Sequence, residues 1–234
     1  MKLLSKAVLG LCCLLVMGMA SLSWAEPVMN LITVNTQDPM GYANWARASS
    51  PAIAKSNNAM AMGLCVPRAG AEVMGDVFLW SFFDSQTTAW KVSPMNPVTV
   101  AEVAKMEVDR TIRYWDNWRM VRQGAELWPK SYLWNVVVKT RDVSGYLSAV
   151  DNLMAEMKNN GLGDIVLQAF VADTGKWSGM VMVSMSAKSA ERLGNALDAR
   201  TQPWFAKALS DFGGIREYHH SWALDCEAYY MQEQ

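Results

Sequence analysis

Two histidines, His219 and His220, stand side by side near the end of the chain and are its only imidazoles. Histidine changes charge near neutral pH, so a pair in a pocket would be natural machinery for proton transfer. Neighbours in an extended strand project to opposite faces. The pair is therefore expected to divide, with one ring toward a central cavity beside Arg216, Tyr218 or Trp222. On that geometry they do not share one metal ion. Ligand spacings such as H-x-x-x-H or C-x-x-C are absent, and no metal is expected. Tyr42 and Tyr146 are further catalytic candidates, as two phenols at a pocket mouth; symmetric packing over a sheet edge is the alternative for them. The densest aromatic and polar run is Tyr114-Trp115-Asp116-Asn117-Trp118-Arg119. As a strand it sets Tyr114, Asp116 and Trp118 on one face and Trp115, Asn117 and Arg119 on the other. A face with two aromatics and a carboxylate can hold a ring or a sugar, and the same residues can fill a barrel. Trp80, Trp115, Asp116, Trp118, Arg216, Tyr218 and Trp222 form the candidate ligand-binding set. Nucleophile elbows, phosphate loops and dinucleotide fingerprints are missing.

These residues need elements to place them, and the clearest elements lie in the second half. Asn135–Lys139 reads as a β-branched strand. Asp142 is a good N-cap for a helix carrying Val143, Leu147, Val150, Met154 and Met157, which Asn160-Gly161 ends. Strands come next over 165–171 and 179–185. Ser186 can cap a helix with Leu193 and Leu197, and a last strand spans 215–222. The order is β-α-β-β-α-β. A shift of 104 positions lays Val34, Thr36, Asp38, Gly41 and Tyr42 on Val138, Thr140, Asp142, Gly145 and Tyr146, a shared T-x-D-x-x-G-Y at a strand-to-helix junction. The first half then reads alike: a strand over 31–35, a helix from Asp38-Pro39 broken at Ser50-Pro51, and strands over 59–66 and 77–83. Thr99 with Glu102 fits a capping box. Residues 112–121 suit a strand or a continued helix. Phe78, Leu79, Trp80 and Phe82 are apolar on both faces, as are Met180 to Val183, so both faces of the sheet must be buried.

This order of elements resembles the dimeric α+β barrel superfamily in its fused form, where one chain supplies both halves. The resemblance covers about residues 30 to 222. It implies an α+β fold of two tandem ferredoxin-like repeats forming a single-chain pseudo-dimeric barrel. It also implies small oxidative or isomerising chemistry, cofactor-free or with haem in some families. Haem would need an axial ligand, for which only His219 and His220 offer an imidazole. The expected organisation is a leader over 1–25, a first repeat over 26–123, a linker over 124–133, a second repeat over 134–223 and a tail over 224–234.

Lys2 and Lys6, an apolar stretch from Ala7 to about Leu22, and the small-x-small end Ser23-Trp24-Ala25 form a signal-peptide pattern. A soluble periplasmic or secreted protein is expected, with no membrane span after cleavage. Loss of two lysines leaves 19 basic against 22 acidic residues, a net charge of −3. That balance argues against a nucleic-acid partner. Cys65 and Cys226 remain; a disulfide between them and two buried free thiols are both compatible with export. Ten of the 11 tryptophans and 14 of the 17 methionines lie beyond the leader. Such content fills cores and lines apolar ligand pockets. The first functional expectation is binding of a small apolar or aromatic ligand between the two sheets, by a monomer. The alternatives are an oxidoreductase, cofactor-free or haem-dependent, and an envelope interaction module with no small-molecule site. The cofactor is not specified by the sequence.

Overall fold

The computed structural model describes residues 26–124 and 127–233, so the leader expected over 1–25 lies outside the described residues. The strands are β1 (Val28–Thr36), β2 (Ala61–Ala69), β3 (Asp76–Phe83), β4 (Arg110–Arg122), β5 (Lys130–Lys139), β6 (Val166–Thr174), β7 (Val181–Ala187) and β8 (Glu217–Met231). They close one antiparallel barrel in the order β1-β3-β2-β8-β5-β7-β6-β4. Closure leaves no unpaired edge. Helices α1 (Pro39–Ser56), α2 (Gln86–Trp90) and α3 (Pro97–Val103) lie among the first four strands. Helices α4 (Val143–Asn159), α5 (Ala190–Asp198) and α6 (Pro203–Ser210) lie among the last four. Two helical layers therefore cover the outer face of the barrel, and a third apolar cluster fills its lumen.

The T-x-D-x-x-G-Y junction has one physical explanation at both places. Asp38 and Asp142 cap their helices by accepting from the backbone N–H of Gly41 and Gly145, each at 2.8 Å. A Cβ on either glycine would meet the capping carboxylate at 2.2 Å. Thr36 and Thr140 donate to the carbonyls of Asp109 and Ile215, which anchors the approach to β4 and β8. Tyr42 and Tyr146 then fall one turn into each helix, buried against the sheet.

The structure differs from the sequence reading in several places. Helix α1 runs unbroken through Pro51. Its buried face, with Ala46, Ser49, Ser50 and Ile53, packs on the sheet and outweighs the lost hydrogen bond. Helix α3 begins at Pro97 under an Asn96 cap, so Thr99 caps nothing. Glu102 instead accepts from the Ser49 hydroxyl at 2.9 Å. Ser189, not Ser186, caps α5. The ambiguous run 112–121 is strand, and β5 takes up residues 130–133 of the expected linker. β8 continues to Met231, through most of the expected tail. It does so because it pairs with β2 on one side and β5 on the other, turning Leu224 and Cys226 inward.

Candidate functional site

The lumen was the expected place for a ligand, and side chains nearly fill it. Trp80, Trp118, Trp177 and Trp222 all lie inside, with Phe78, Phe170 and Met182 among them. Cys65 and Cys226 face each other in the β2–β8 register and form a disulfide, Cα–Cα 4.0 Å. The remaining space is about 90 Å³. One wall of it is apolar; the other carries Asn135, Ser184 and Gln168, with the Ser184 hydroxyl donating to Asn135 Oδ1 at 2.7 Å.

Trp177, from the β6–β7 turn, plugs one end of the barrel. Its ring centre lies 5.3 Å from that of His219, 6.0 Å from His220 and 5.4 Å from Trp222. Both histidines therefore meet one indole, contrary to the expected division between faces. The reason is a β-bulge: Val137 pairs with His220 and Val138 with Tyr218, so His219 is the extra residue. The bulge also turns Arg216 and Tyr218 to the outer face, away from the histidines. His220 Nε2 lies 2.8 Å from the Gly70 carbonyl, which can only accept, so that nitrogen carries the proton. Beside the plug, Lys176 pairs with Glu72 and sits 4.2 Å from the Tyr114 ring centre. Burial opposes charge on Glu72, but Lys176 and Arg113 prevail and hold its carboxyl below the usual range. Asp116 is fully buried under the same turn. Its Oδ1 accepts from the Trp177 N–H at 3.4 Å, and its Oδ2 has no partner among the described residues. Burial pushes its carboxyl up. Gly175, at φ 88°, permits this cover, since a Cβ there would sit 2.0 Å from Asp116 Oδ1. This end of the barrel is a packed plug.

The larger space lies outside the barrel, where α1 and α3 face the sheet of the first half. It measures about 280 Å³. Ile32, Val34, Ile53, Met62, Leu79 and Phe83 supply an apolar floor and walls. Trp45 is fixed there by donating to the Glu102 carbonyl at 2.9 Å, which ties α1 to α3. Trp115 stands at the rim, 42% exposed, and donates to Asn30 Oδ1 at 2.7 Å. Asn30 in turn donates to Asn117 Oδ1 at 2.7 Å. The polar lining includes Ser81, Asn57, Tyr42 and a single charged residue, Arg110. Burial, opposed by the Arg110 charge, drives the Tyr42 phenol well above its ordinary value. The corresponding space in the second half, under α4 and α6, is only about 50 Å³. Trp134, Phe205, Leu209 and Phe212 occupy it, over the buried Tyr146, whose phenol burial also raises.

The structure thus scatters the candidates. Trp80, Asp116, Trp118 and Trp222 are lumenal, His219 and His220 cap the barrel, and Tyr42 with Trp115 belongs to the first-half cleft. Tyr146, Arg216 and Tyr218 belong to the closed second-half space. Sequence reasoning missed Trp45, Asn30, Ser81 and Arg110. Ser81, the one small polar residue within Phe78–Phe83, was a readable signal; Arg110 carried none.

No family model matches the chain, and no curated protein matches it in sequence. Solved structures do share the fold. A monooxygenase candidate from Lactobacillus acidophilus aligns with 88% of this chain and 95% of its own, at 9% identity and a TM-score of 0.54. An anthrone oxidase-like protein aligns with 90% of this chain and 97% of its own, at 10% identity and a TM-score of 0.55. What they share with the chain is the fold, a closed eight-stranded antiparallel α+β barrel. Haem, one of the cofactors that the resemblance in sequence allowed, does not suit the residues here: neither His219 nor His220 lines the lumen, the cleft or the closed space.

Proposed function

We infer that the chain is a fused pair of β-α-β-β-α-β units whose first unit binds a small aromatic molecule in the cleft under α1 and α3. The second unit has closed the same space and serves as scaffold. The observation that carries this reading is the contrast of about 280 Å³ with about 50 Å³ at matching places. The lining is mostly apolar with a few placed polar groups, as in ligand sites, and the volume is near the lower end of their usual size. Trp45 and Trp115, both held by hydrogen bonds, offer fixed aromatic surfaces. The titratable groups at the site are a phenol kept protonated and a guanidinium. Neither takes a proton at neutral pH, which favours binding over proton abstraction.

The reading includes export as a monomer. The leader pattern of residues 1–25 and the Cys65–Cys226 disulfide agree with an oxidising compartment, and the barrel closes within one chain.

Tryptophan fluorescence during titration with naphthalene derivatives tests the reading. Saturable quenching is expected, and Ser81→Met should abolish it by filling the floor of the cleft. Quenching unchanged in that variant would refute the site. The fold neighbours, a monooxygenase candidate and an anthrone oxidase-like protein, suggest a second reading, oxidation of the bound ring. Oxygen uptake on adding anthrone, lost in Ser81→Met, would favour it over binding alone.

A further inference from the structure

The two outer spaces hold the same pair of polar groups, and only one of the two arginines is seated against aromatic rings. Tyr42 with Arg110 lines the cleft; Tyr146 with Arg216 lines the closed space. In the closed half, the charge of Arg216 opposes the rise that burial imposes on the Tyr146 phenol. Its guanidinium carbon also lies 4.3 Å from the Phe212 ring centre and 4.6 Å from that of Tyr218. In the open half the partner of Val34 is Ile112, where the partner of Val138 is Tyr218, so that aromatic platform is missing. Among the described residues Arg110 takes part in no ion pair. Nor does it join a cation–π contact. Its charge opposes the rise that burial imposes on the Tyr42 phenol, as Arg216 does for Tyr146. A half-buried guanidinium beside an apolar cavity loses hydration without gaining a partner, and an anion entering the cavity would supply one.

We propose that the cleft takes a small aromatic monoanion, with a carboxylate meeting the Arg110 guanidinium and the Tyr42 hydroxyl and the ring lying against Trp45 and Trp115. This deepens the binding reading above and rests on it. A planar guanidinium can clasp a carboxylate through two parallel hydrogen bonds. Tyr42, which lines the same space, adds a phenol donor. Ser81 and Asn30 leave room for the ring where the second half carries Met185 and Trp134.

The test is calorimetric titration of the full chain with 2-naphthoate and with its neutral isostere 2-naphthamide. The wild type should bind the acid at least about tenfold more tightly than the amide, since hydrogen bonds to charged groups are the stronger kind. Arg110→Gln should weaken the acid by about tenfold or more and leave the amide within about twofold. Arg216→Gln, in the closed half, should change neither. Equal binding of acid and amide by the wild type overturns the anion assignment while the binding reading stands, and this arm needs no variant to fold. Loss of acid binding in Arg216→Gln but not in Arg110→Gln overturns it too, by placing the anion elsewhere. If neither probe binds, both readings fail.

Discussion

The two halves of the molecule begin from the same local plan and end with different interiors. In each, a capped helix lays a buried tyrosine on the outer face of the barrel beside an arginine at the entry to the last strand. Two differences send the interiors apart. The first is a cross-strand pair: Asn30 opposite Ser81 in β1–β3, where β5–β7 has Trp134 opposite Met185. The second is the final helix. No residue of α3 is buried, whereas α6 buries Phe205 and Ala208 and leads directly to the buried Phe212. A few side-chain volumes thus turn one surface into a core and the other into a cleft. An unfilled cavity costs stability in proportion to its size. The first half carries that cost, which is the physical reason to look for function there and for stability in the second half.

The largest effect should come from removing the aromatic that closes the second half. Phe205→Ala should destabilise the fold by about 3–5 kcal/mol in urea denaturation, the range for deleting a buried aromatic ring. Val100→Ala, in the helix over the cleft, should stay within about 0.5 kcal/mol, because that side chain is 44% exposed. Similar losses in both would erase the distinction between scaffold and binding half. Next comes the exchange of floor residues. Met185→Ser should cost about 2–5 kcal/mol by opening a cavity in a packed layer. Ser81→Met should cost less than about 1 kcal/mol, since space for it already exists. A penalty for Ser81→Met of about 1–3 kcal/mol, the usual result of overpacking, would mean that the cleft is filled in solution.

The element order and the barrel were legible because the strands carry apolar residues on both faces and the junction motif marks both long helices. The cleft was far less legible. Trp45 and Arg110 are ordinary residues in sequence, and their meaning depends on what a neighbouring helix fails to bury. The histidines were misplaced for a related reason: a single bulge at His219 reverses the face alternation expected of a regular strand. Pro51 and the long β8 share that cause, since packing on both sides sustained elements that local signals would have ended.

The smallest effect concerns the inner face of the barrel, where the halves differ again. Asp116 pairs across the ladder with Leu31 in the first half, whereas Trp222 pairs with Asn135 in the second. Burial raises the Asp116 carboxyl above its ordinary value, with the Trp177 and Lys176 N–H groups and the Lys176 charge opposing. A carboxyl whose folded pKa exceeds its unfolded value stabilises the fold fully only below the unfolded value, about 3.9 for Asp. That contribution is lost as pH rises through the folded pKa. Asp116→Asn removes the titration and keeps an oxygen for the Trp177 N–H. The melting temperature of the variant minus that of the wild type should therefore rise from pH 4 toward pH 7 and then level off. Its absolute sign at any one pH also reflects how the new amide is satisfied, so the slope is the measurement that matters. A flat difference would mean that Asp116 does not change its protonation on folding. A falling one would mean that its charge is matched by a partner in the lumen, and that the inner faces of the two halves are less unequal than their side chains suggest.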